Sequence, residues 1–317
     1  MRVTVTGGAG YIGACATREL LAAGHQVCVL DSLLHGQEAV AAALEAAGAR
    51  LVLGDVRDEA ARAAALDGAE AVVHLAAIVG DPACAVDPEL SHAVNVEATF
   101  ALVDAAAGVE RFLFASTCSN YGRMADPLVP VDETAPLAPV SLYAEQKVRI
   151  ERELLAREGT FTCLRFATIY GVAERMRFDL TVNEFTRDLW DGRTLEVYGE
   201  QFWRPYVHVG DAARAIALVL GAPADQVAGR VFNVGHSDEN YRKLDLVGLI
   251  RERLPAADVR FVHRDEDPRD YRVSFERIRS ELGFDPVMRV PDGVAELIVG
   301  LEERRFGDPF DRRFSNV

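Results

Sequence analysis

The first half of the chain alternates between short apolar runs and stretches of helical periodicity. Short, mostly apolar runs are typical of strands buried on both faces, and here they cover residues 2–6, 26–30, 51–53, 71–75, 111–115 and 161–166. Between them, apolar residues recur every three or four positions, which predicts amphipathic helices, most clearly over 11–23, 89–107 and 141–157. Repeated strand–helix units predict an α/β fold in which a doubly wound parallel sheet carries helices on both faces.

The pattern changes after residue 166, where the segments become shorter. Both tryptophans, several prolines and many arginines lie in this second part of the chain. Strand and helix patterns like those of the first part resume over about 206–220 and 230–234. We therefore predict a larger lobe made of residues 1–166 with about 206–235. Residues 167–205 and 236–317 are predicted to form a smaller α/β lobe that covers it.

A glycine-rich turn directly follows the first strand. Residues 7–13 (GGAGYIG) join that strand to the first helix, and the second strand ends in Asp31. Strand, glycine turn, helix, strand and acidic residue form the fingerprint of a Rossmann-type dinucleotide-binding domain. The glycines let the backbone approach a pyrophosphate at the positive end of the helix dipole. Asp31 can bind both adenosine ribose hydroxyls and would repel a 2′-phosphate, which predicts NAD rather than NADP as the cofactor.

Only two lysines occur in the chain, Lys147 and Lys243, and the first of them follows Tyr143 by four residues. Positions i and i+4 share one face of a helix, so we expect the Tyr hydroxyl and the Lys ammonium in one site. An ammonium beside a phenol favours the phenolate and lowers the pKa of the Tyr from about 10. The pair therefore predicts a Tyr that transfers protons with the help of a neighbouring cation.

Charge and composition exclude several other classes of protein. The 317 residues carry a formal net charge of −15, which argues against nucleic acid or an anionic membrane as a partner. No apolar run approaches the length that spans a bilayer, and a chain that opens on a strand leaves no room for a signal peptide, so we expect a cytoplasmic protein. The five cysteines are scattered, without a CxxC pair or Cys/His cluster, which predicts reduced thiols and no metal site.

Eight short motifs occur in the order found in one protein family. They are TGGAGYIG (6–13), GD (54–55), HLAA (74–77), ST through YG (116–122), YAEQK (143–147), LRF (164–166), RPYVHV (204–209) and FNVG (232–235). Over essentially its whole length the chain therefore resembles the extended short-chain dehydrogenase/reductases, and specifically the NAD-dependent sugar-nucleotide epimerase/dehydratase family. The motifs together are specific for the fold and the cofactor, and much less specific for the substrate.

The resemblance implies roles for individual residues. Tyr143 takes the place of the family's catalytic base, and Lys147 that of the residue that binds the nicotinamide ribose and lowers the Tyr pKa. Thr117 stands where a Ser or Thr hydrogen-bonds the reacting hydroxyl; its alternative role is to cap the backbone at the strand end. The other positions implied to contact NAD are Gly7, Gly10, Tyr11, Ile12, Asp31, Asp55, Val56, Leu75, Ala76 and Ala77.

The substrate implied by the resemblance is a nucleotide-diphosphate sugar. Arg204 and Arg269 resemble family positions that bind the diphosphate, and an Arg can make two hydrogen bonds to phosphate at once. Arg175 and Arg177 could contact the same ligand, with a solvated surface position as an equal alternative. Asn183 and Phe202 are weaker candidates for contacts with the substrate. Family members commonly dimerise through two helices, so a homodimer is expected by resemblance.

Departures from the family pattern bear on the reaction. Thr168 stands where many relatives have an Asn that contacts the diphosphate, and Pro205 replaces the Asp that usually follows the diphosphate Arg. The 4,6-dehydratases of the family carry an Asp-Glu pair directly after the Thr, to eliminate water across C5 and C6. This chain has Cys118 and Ser119 there. Since these residues do not supply two carboxylates, dehydration is disfavoured.

The favoured function is a sugar-nucleotide epimerase, acting at C4, that oxidises one alcohol to a ketone and then returns the hydride. One alternative is a sugar-nucleotide 4-ketoreductase or dehydrogenase that releases its reduced cofactor. A noncatalytic NAD-binding sensor is disfavoured, because Tyr143, Lys147 and Thr117 are all present. Cys118 is interpreted as a small residue beside the nicotinamide, with a thiolate that removes a carbon-bound proton as the alternative.

Overall fold

The computed structural model describes residues 1–124, 126, 128–256, 258–263 and 269–316. The strands in this part of the chain are β1 (Arg2–Thr6), β2 (Gln26–Asp31), β3 (Arg50–Leu53), β4 (Ala71–His74), β5 (Arg111–Thr117), β6 (Phe161–Phe166), β7 (Thr168–Tyr170), β8 (Leu195–Tyr198), β9 (Trp203–His208), β10 (Arg230–Val234), β11 (Asn240–Arg242) and β12 (Val259–Val262). The α-helices are α1 (Tyr11–Ala22), α2 (Glu38–Ala46), α3 (Glu59–Leu66), α4 (Asp81–Val86), α5 (Pro88–His92), α6 (Ala98–Ala105), α7 (Leu142–Ala156), α8 (Thr181–Trp190), α9 (Val209–Gly221), α10 (Ala224–Val227), α11 (Lys243–Arg251), α12 (Glu276–Leu282) and α13 (Val290–Glu302).

A seven-stranded parallel sheet lies at the centre of the molecule, in the order β10-β6-β5-β4-β1-β2-β3. Its apolar strand residues pack against α1 and α9 on one face and against α3, α6 and α7 on the other. This confirms the predicted doubly wound fold. The strand order reverses between β1 and β4, and in such sheets ligands bind in the crevice at the carboxyl ends of those strands.

The part of the chain after β6 builds two smaller sheets. β9 pairs with β7 in parallel and with β11 antiparallel, while β8 and β12 form a parallel pair. Helices α8, α11 and α13 pack with them around a separate apolar core. The chain returns to the first lobe through α9, which packs on α1, and through β10, which pairs with β6.

The start of the segment that was predicted to return to the larger lobe needs a correction. Residues 206–208 belong to β9 and therefore to a smaller sheet, so the return begins with α9 at Val209. The division into a larger and a smaller lobe remains a proposal, which this sheet order supports. None of the helices in the described residues is both long and apolar enough to cross a membrane.

One predicted helix is not continuous. The stretch 89–107 forms α5, a π-helical turn at Ala93–Glu97, and then α6. The turn places Asn95 inside the protein, where its Oδ1 accepts a hydrogen bond from Ile78 N at 2.8 Å and its Nδ2 donates to Gln146 Oε1 at 2.8 Å. Such turns are frequent at functional sites, and this one joins the loop after β4 to α7.

Candidate active site

The glycine turn and the start of α1 form a backbone cradle at the end of β1. Gly7 has a φ of +70°, and a Cβ on it would lie 2.8 Å from Ala76 N. A Cβ on Gly13 would lie 2.0 Å from Gly7 O. Only Gly fits at these two positions, because both the turn and the helix approach other backbone closely. No side chain caps α1 at Gly10, which leaves the first amides of the helix available to an anion.

Asp31 ends β2 beside this cradle and is only 8% exposed. Its Oδ2 accepts a hydrogen bond from Ala9 N and its Oδ1 one from Leu33 N, both at 2.9 Å. Burial raises the pKa of Asp31, against the opposing effects of these amides and of Arg175. Each carboxylate oxygen still has a lone pair for a ribose hydroxyl. The cradle and Asp31 together fit the pyrophosphate and the adenosine ribose of NAD.

The other residues predicted to contact NAD lie at the carboxyl ends of neighbouring strands. Residues 75–77 follow β4, and Ala76 N donates to Thr6 Oγ1 at 3.3 Å. After β3, Val56 is buried, and Asp55 forms an ion pair with Arg57 at 2.7 Å that lowers the pKa of Asp55. The fold therefore brings the residues predicted for NAD to one edge of the sheet.

Tyr143 and Lys147 lie on one face of α7, as predicted from their spacing. The Lys147 Nζ donates to Ala115 O on β5 at 2.8 Å and lies 5.8 Å from the centre of the Tyr143 ring. It also lies 4.6 Å from the centre of the Phe114 ring. Burial lowers the pKa of Lys147 to about 8. The cation is thus held against the strand that leads to Thr117.

The pKa of Tyr143 does not follow the prediction from the Tyr–Lys spacing. Tyr143 is half-buried, and its hydroxyl makes no hydrogen bond within the described residues. Burial raises the pKa of Tyr143, and the nearby Cys84 and Asp81 add to this while Arg177 opposes it. In the chain alone, removal from water therefore outweighs the effect of the neighbouring ammonium.

Thr117 is the last residue of β5 and is half-buried. Its Oγ1 accepts a hydrogen bond from Ser119 N at 3.1 Å, so the hydroxyl does cap the strand end. The hydroxyl hydrogen has no acceptor in the described part of the chain. A hydroxyl oxygen accepts and donates at the same time, and Thr117 can therefore still donate to a substrate oxygen.

Cys118 is buried directly beyond Thr117. Its thiol donates to Arg165 O at 3.2 Å, and burial raises the pKa of Cys118 well above its usual range. A thiol in this state is a poor base. The structure therefore favours the interpretation of Cys118 as a small packing residue.

A buried polar network below the end of β5 was not predicted from the sequence. Arg165 on β6 forms an ion pair with Glu151 on α7, and its Nη1 donates to Tyr121 OH at 2.9 Å. Ser116 Oγ donates to Glu151 Oε2 at 2.8 Å, and Tyr121 OH donates to Asn233 Oδ1 at 2.8 Å. These bonds fix α7 to three neighbouring strands. The signal in the sequence is an Arg inside an otherwise apolar strand.

His74 forms a second buried link. Its Nδ1 lies 2.6 Å from Thr6 Oγ1, and its Nε2 lies 2.7 Å from Thr99 Oγ1. Since the Thr99 hydroxyl donates to Asn95 O at 2.6 Å, we assign the proton of the ring to Nε2, which donates to Thr99. Burial lowers the pKa of His74 to about 3, so the ring is neutral. His74 thereby connects the strand below residues 75–77 to the π-helical turn.

The fold brings Arg204 and Arg269 together. Arg204 is buried, its Nη1 donates to Arg269 O, and its guanidinium lies 5.4 Å from the centre of the Tyr271 ring. The Tyr271 hydroxyl donates to Ser119 Oγ at 3.4 Å. Arg269 Nη1 forms an ion pair with Asp81 Oδ2 at 2.9 Å. The two arginines therefore lie close to the segment that follows Thr117.

Asn183 has a different environment from the one predicted for a substrate contact. It is completely buried, and its Oδ1 accepts from Gly171 N at 2.9 Å. Its Nδ2 donates to Arg177 O at 2.8 Å and to Tyr11 OH at 3.1 Å. These bonds satisfy the amide within the chain, so the structure does not support a contact with substrate. Phe202 is buried as well.

Neither Arg175 nor Arg177 lies on a solvated face. Arg175 is 6% exposed, and its charge lowers the pKa of Asp31 against the effect of burial. Arg177 is half-buried and pairs with Asp179 at 2.6 Å. In the described part of the chain, no group of three or more His, Cys, Asp or Glu side chains is arranged to hold a metal ion.

Comparisons with known proteins match this chain to one family. A family model described as the NAD dependent epimerase/dehydratase family matches residues 3–235. UDP-glucose 4-epimerase from Corynebacterium glutamicum is 31% identical, over 90% of this chain and 91% of that protein. The structure of dTDP-glucose 4,6-dehydratase from Streptomyces venezuelae, solved with NAD, has a TM-score of 0.87 and 32% identity, covering 98% of this chain and 100% of the other. UDP-glucose 4-epimerase from Thermus thermophilus, also solved with NAD, has a TM-score of 0.83 and 28% identity, covering 95% and 99%.

Proposed function

Since the chain belongs to the NAD-dependent epimerase/dehydratase family, with NAD as its cofactor, we propose that it is a sugar-nucleotide epimerase acting at C4. Similarity alone does not choose between reactions, because the relatives include both 4-epimerases and 4,6-dehydratases. The observation that carries the proposal is the segment after Thr117. Cys118 and Ser119 occupy the two positions where the family's dehydratases have carboxylates.

The surrounding carboxylates do not replace that pair. Two of them are close enough for their charge to raise the pKa of Cys118, namely Glu133 and Glu151. Glu133 Oε1 accepts from Asn233 N at 2.8 Å, and Glu151 is paired with Arg165. Both carboxylates are thus committed to structural partners, and neither serves as the base that a dehydration requires.

In the proposed reaction, Tyr143 takes the proton from the C4 hydroxyl and later returns it to the ketone oxygen. Its half-buried hydroxyl, without a hydrogen bond in the described residues, suits this role. Lys147 stabilises the phenolate by its charge, from a position fixed by Ala115 O. Thr117 donates to the reacting oxygen. NAD, held by the glycine cradle and Asp31, would supply the hydride acceptor for the oxidation and the hydride donor for reduction of the other face of the ketone.

The proposed substrate is a nucleotide-diphosphate sugar, bound through Arg204 and Arg269. Arg204 lies over the Tyr271 ring and donates to Arg269 O, and the Tyr271 hydroxyl donates to Ser119 Oγ in the segment after β5. The sugar has to reach Thr117 at the start of this segment. Positive groups at this place offset the net charge of −15, which would otherwise disfavour an anionic ligand. A homodimer is also proposed, by analogy with the family alone.

The decisive experiment is incubation of the protein with a panel of UDP- and dTDP-sugars in deuterated water, followed by chromatography and mass analysis. An epimerase converts one sugar nucleotide into its C4 epimer without added NAD and without carbon-bound deuterium. Stoichiometric release of NADH would instead establish a dehydrogenase. Loss of water, or deuterium on the ring, would contradict the proposal, and Tyr143→Phe serves as the inactive control.

A further inference from the structure

The segment of residues 171–179, here called the 171–179 loop, connects β7 to α8 and is tied to the start of α1. Tyr11, the first residue of α1, donates from its hydroxyl to Gly171 O at 2.6 Å. Arg18, later in α1, forms an ion pair with Glu174. The loop thus belongs to the second part of the chain but lies along the helix whose N-terminus forms the NAD cradle.

The C-terminal residues hold the other end of this loop. Phe178 N donates to Phe314 O at 2.9 Å, and Asn316 N donates to Asp179 Oδ2 at 3.1 Å. Arg175 Nη2 donates to Asn316 Oδ1 at 2.7 Å and to Ser315 O at 3.4 Å. These contacts place the arginines of the loop by means of residues from the far end of the chain.

The guanidinium of Arg175 lacks a hydrogen-bond partner for one of its nitrogens. The residue is 6% exposed, and its Nε is buried without a hydrogen-bond partner. Within the described residues it forms no ion pair with a carboxylate, whereas its neighbour Arg177 is paired with Asp179. A buried guanidinium without an anion is unfavourable, because it loses water and gains no opposite charge in return. Burial accordingly lowers the pKa of Arg175 to about 10.

Arg175 lies within electrostatic reach of two residues that follow or end β2, Asp31 and His35. Burial raises the pKa of Asp31, and the charge of Arg175 opposes this effect. Burial lowers the pKa of His35 to about 4, and the charge of Arg175 adds to this effect. Asp31 is the residue predicted to bind the adenosine ribose, and its Oδ2 accepts a hydrogen bond from Ala9 N in the glycine turn that is predicted to bind the pyrophosphate. The pyrophosphate is an anion that would complete the environment of the guanidinium.

We propose that Arg175 is an NAD-binding residue contributed by the 171–179 loop, and that residues 314–316 are positioning residues for it. NAD would then be held between the glycine turn on one side and an arginine anchored to the C-terminal segment on the other. Such a cofactor leaves slowly, as an enzyme that regenerates its own NAD requires. The inference rests on NAD binding and does not depend on the C4 epimerase proposal.

The test is the exchange of bound NAD for labelled NAD, measured on the purified protein with its cofactor. Arg175→Gln is expected to exchange NAD at least about tenfold faster than wild type, since a charge-assisted hydrogen bond contributes about 1.5–3 kcal/mol. Arg175→Lys, which keeps the charge, is expected to recover part of the difference. Arg279→Gln is the control, because it removes an exposed arginine paired with Glu276 on α12, away from the 171–179 loop, and its exchange should stay within about twofold of wild type.

Asn316→Ala keeps Arg175 and changes only a half-buried residue, so it tests the positioning role without the risk of unfolding. It should accelerate exchange by roughly two- to tenfold, the effect of one lost hydrogen bond. Wild-type exchange in a folded Arg175→Gln variant would overturn the proposal. If that variant fails to fold, wild-type exchange in Asn316→Ala would overturn it instead.

Discussion

Lys147 has a fixed position inside the protein, but the burial that fixes it disfavours its charged form. Its ammonium is buried and bonded to Ala115 O, which fixes it in space but removes it from water. Removal from water lowers the pKa of Lys147 from 10.5 to about 8. In the proposed mechanism this cation stabilises a phenolate, and its burial lowers the free energy of unfolding, which a pH series can measure.

The first prediction concerns the NAD-free protein and Lys147→Met. Between about pH 8 and pH 10.5 the unfolded chain keeps the Lys147 proton and the folded chain does not. Unfolding then takes up a proton, so this residue makes the free energy of unfolding rise with pH. Relative to Lys147→Met, wild type should gain up to about 1.4 kcal/mol per pH unit in this window. Urea unfolding at several pH values measures the difference, and parallel curves for the two proteins would contradict the assignment.

The second prediction concerns Tyr143→Phe. The half-buried hydroxyl is the proposed proton-transfer group, and such a group contributes about 10²–10⁴-fold to the rate. Turnover should fall by that factor, while NAD content and the melting temperature remain near those of wild type. Lys147→Arg, which keeps the charge but not the compact head group, should also be strongly impaired. Near-normal turnover in either variant refutes the assigned roles.

At the level of elements, the position of α7 depends on the buried Arg165–Glu151 pair as well as on apolar contacts. Both side chains are almost completely buried, with exposures of 5% and 2%. A pair of this kind is costly to break from one side only, because the remaining charge stays buried without a partner. Since α7 also carries Tyr143 and Lys147, the ion pair helps to fix the positions of these two residues through the helix.

The third prediction compares the loss of one partner of this ion pair with the loss of both partners. Arg165→Met should lower the free energy of unfolding by about 3–5 kcal/mol, since it leaves the Glu151 charge unpaired. The double variant Arg165→Met/Glu151→Leu should recover most of this loss, because no buried charge then remains. Chemical denaturation of the single and double variants gives the coupling energy. Additive losses in the double variant would show that the two residues act independently.

At the scale of the whole molecule, the Arg269–Asp81 ion pair joins the two parts of the chain beside the active site. Asp81 begins α4 after β4, while Arg269 comes from the second part of the chain. Asp81 also contributes to the raised pKa of Tyr143, for which burial is the main cause. A diphosphate that binds Arg269 has to compete with this carboxylate.

The fourth prediction is that Asp81→Asn binds UDP more tightly than wild type, by about two- to fivefold. The effect is modest because both partners are partly exposed, at 36% and 27%, and exposed pairs contribute about 0.2–1 kcal/mol. Calorimetric titration measures it, with Asp104→Asn as the control, since Asp104 forms an exposed pair with Arg157 elsewhere. Weaker binding in Asp81→Asn would mean that Asp81 orients Arg269 for the ligand.

The sequence by itself determined the central sheet, the glycine cradle with Asp31, and the pairing of Tyr143 with Lys147. These features are local. A buried strand, an amphipathic helix and a glycine turn are each specified by neighbouring residues, and the parallel order follows from their repetition. For the same reason the spacing of Tyr143 and Lys147 was enough to place them on one face of α7.

Only the tertiary structure decided the burial, the pKa values and the contacts of individual residues. The pKa of Tyr143 is raised because the folded chain removes its side chain from water, which the helical spacing does not show. Asn183 is turned inward by Gly171 and Tyr11, and the π-helical turn around Asn95 interrupts a pattern that reads as one helix. Arg175 lies within electrostatic reach of Asp31 in a loop that also contacts the C-terminal residues. Burial and charge are properties of residues brought together from distant parts of the chain, and therefore only the folded molecule sets them.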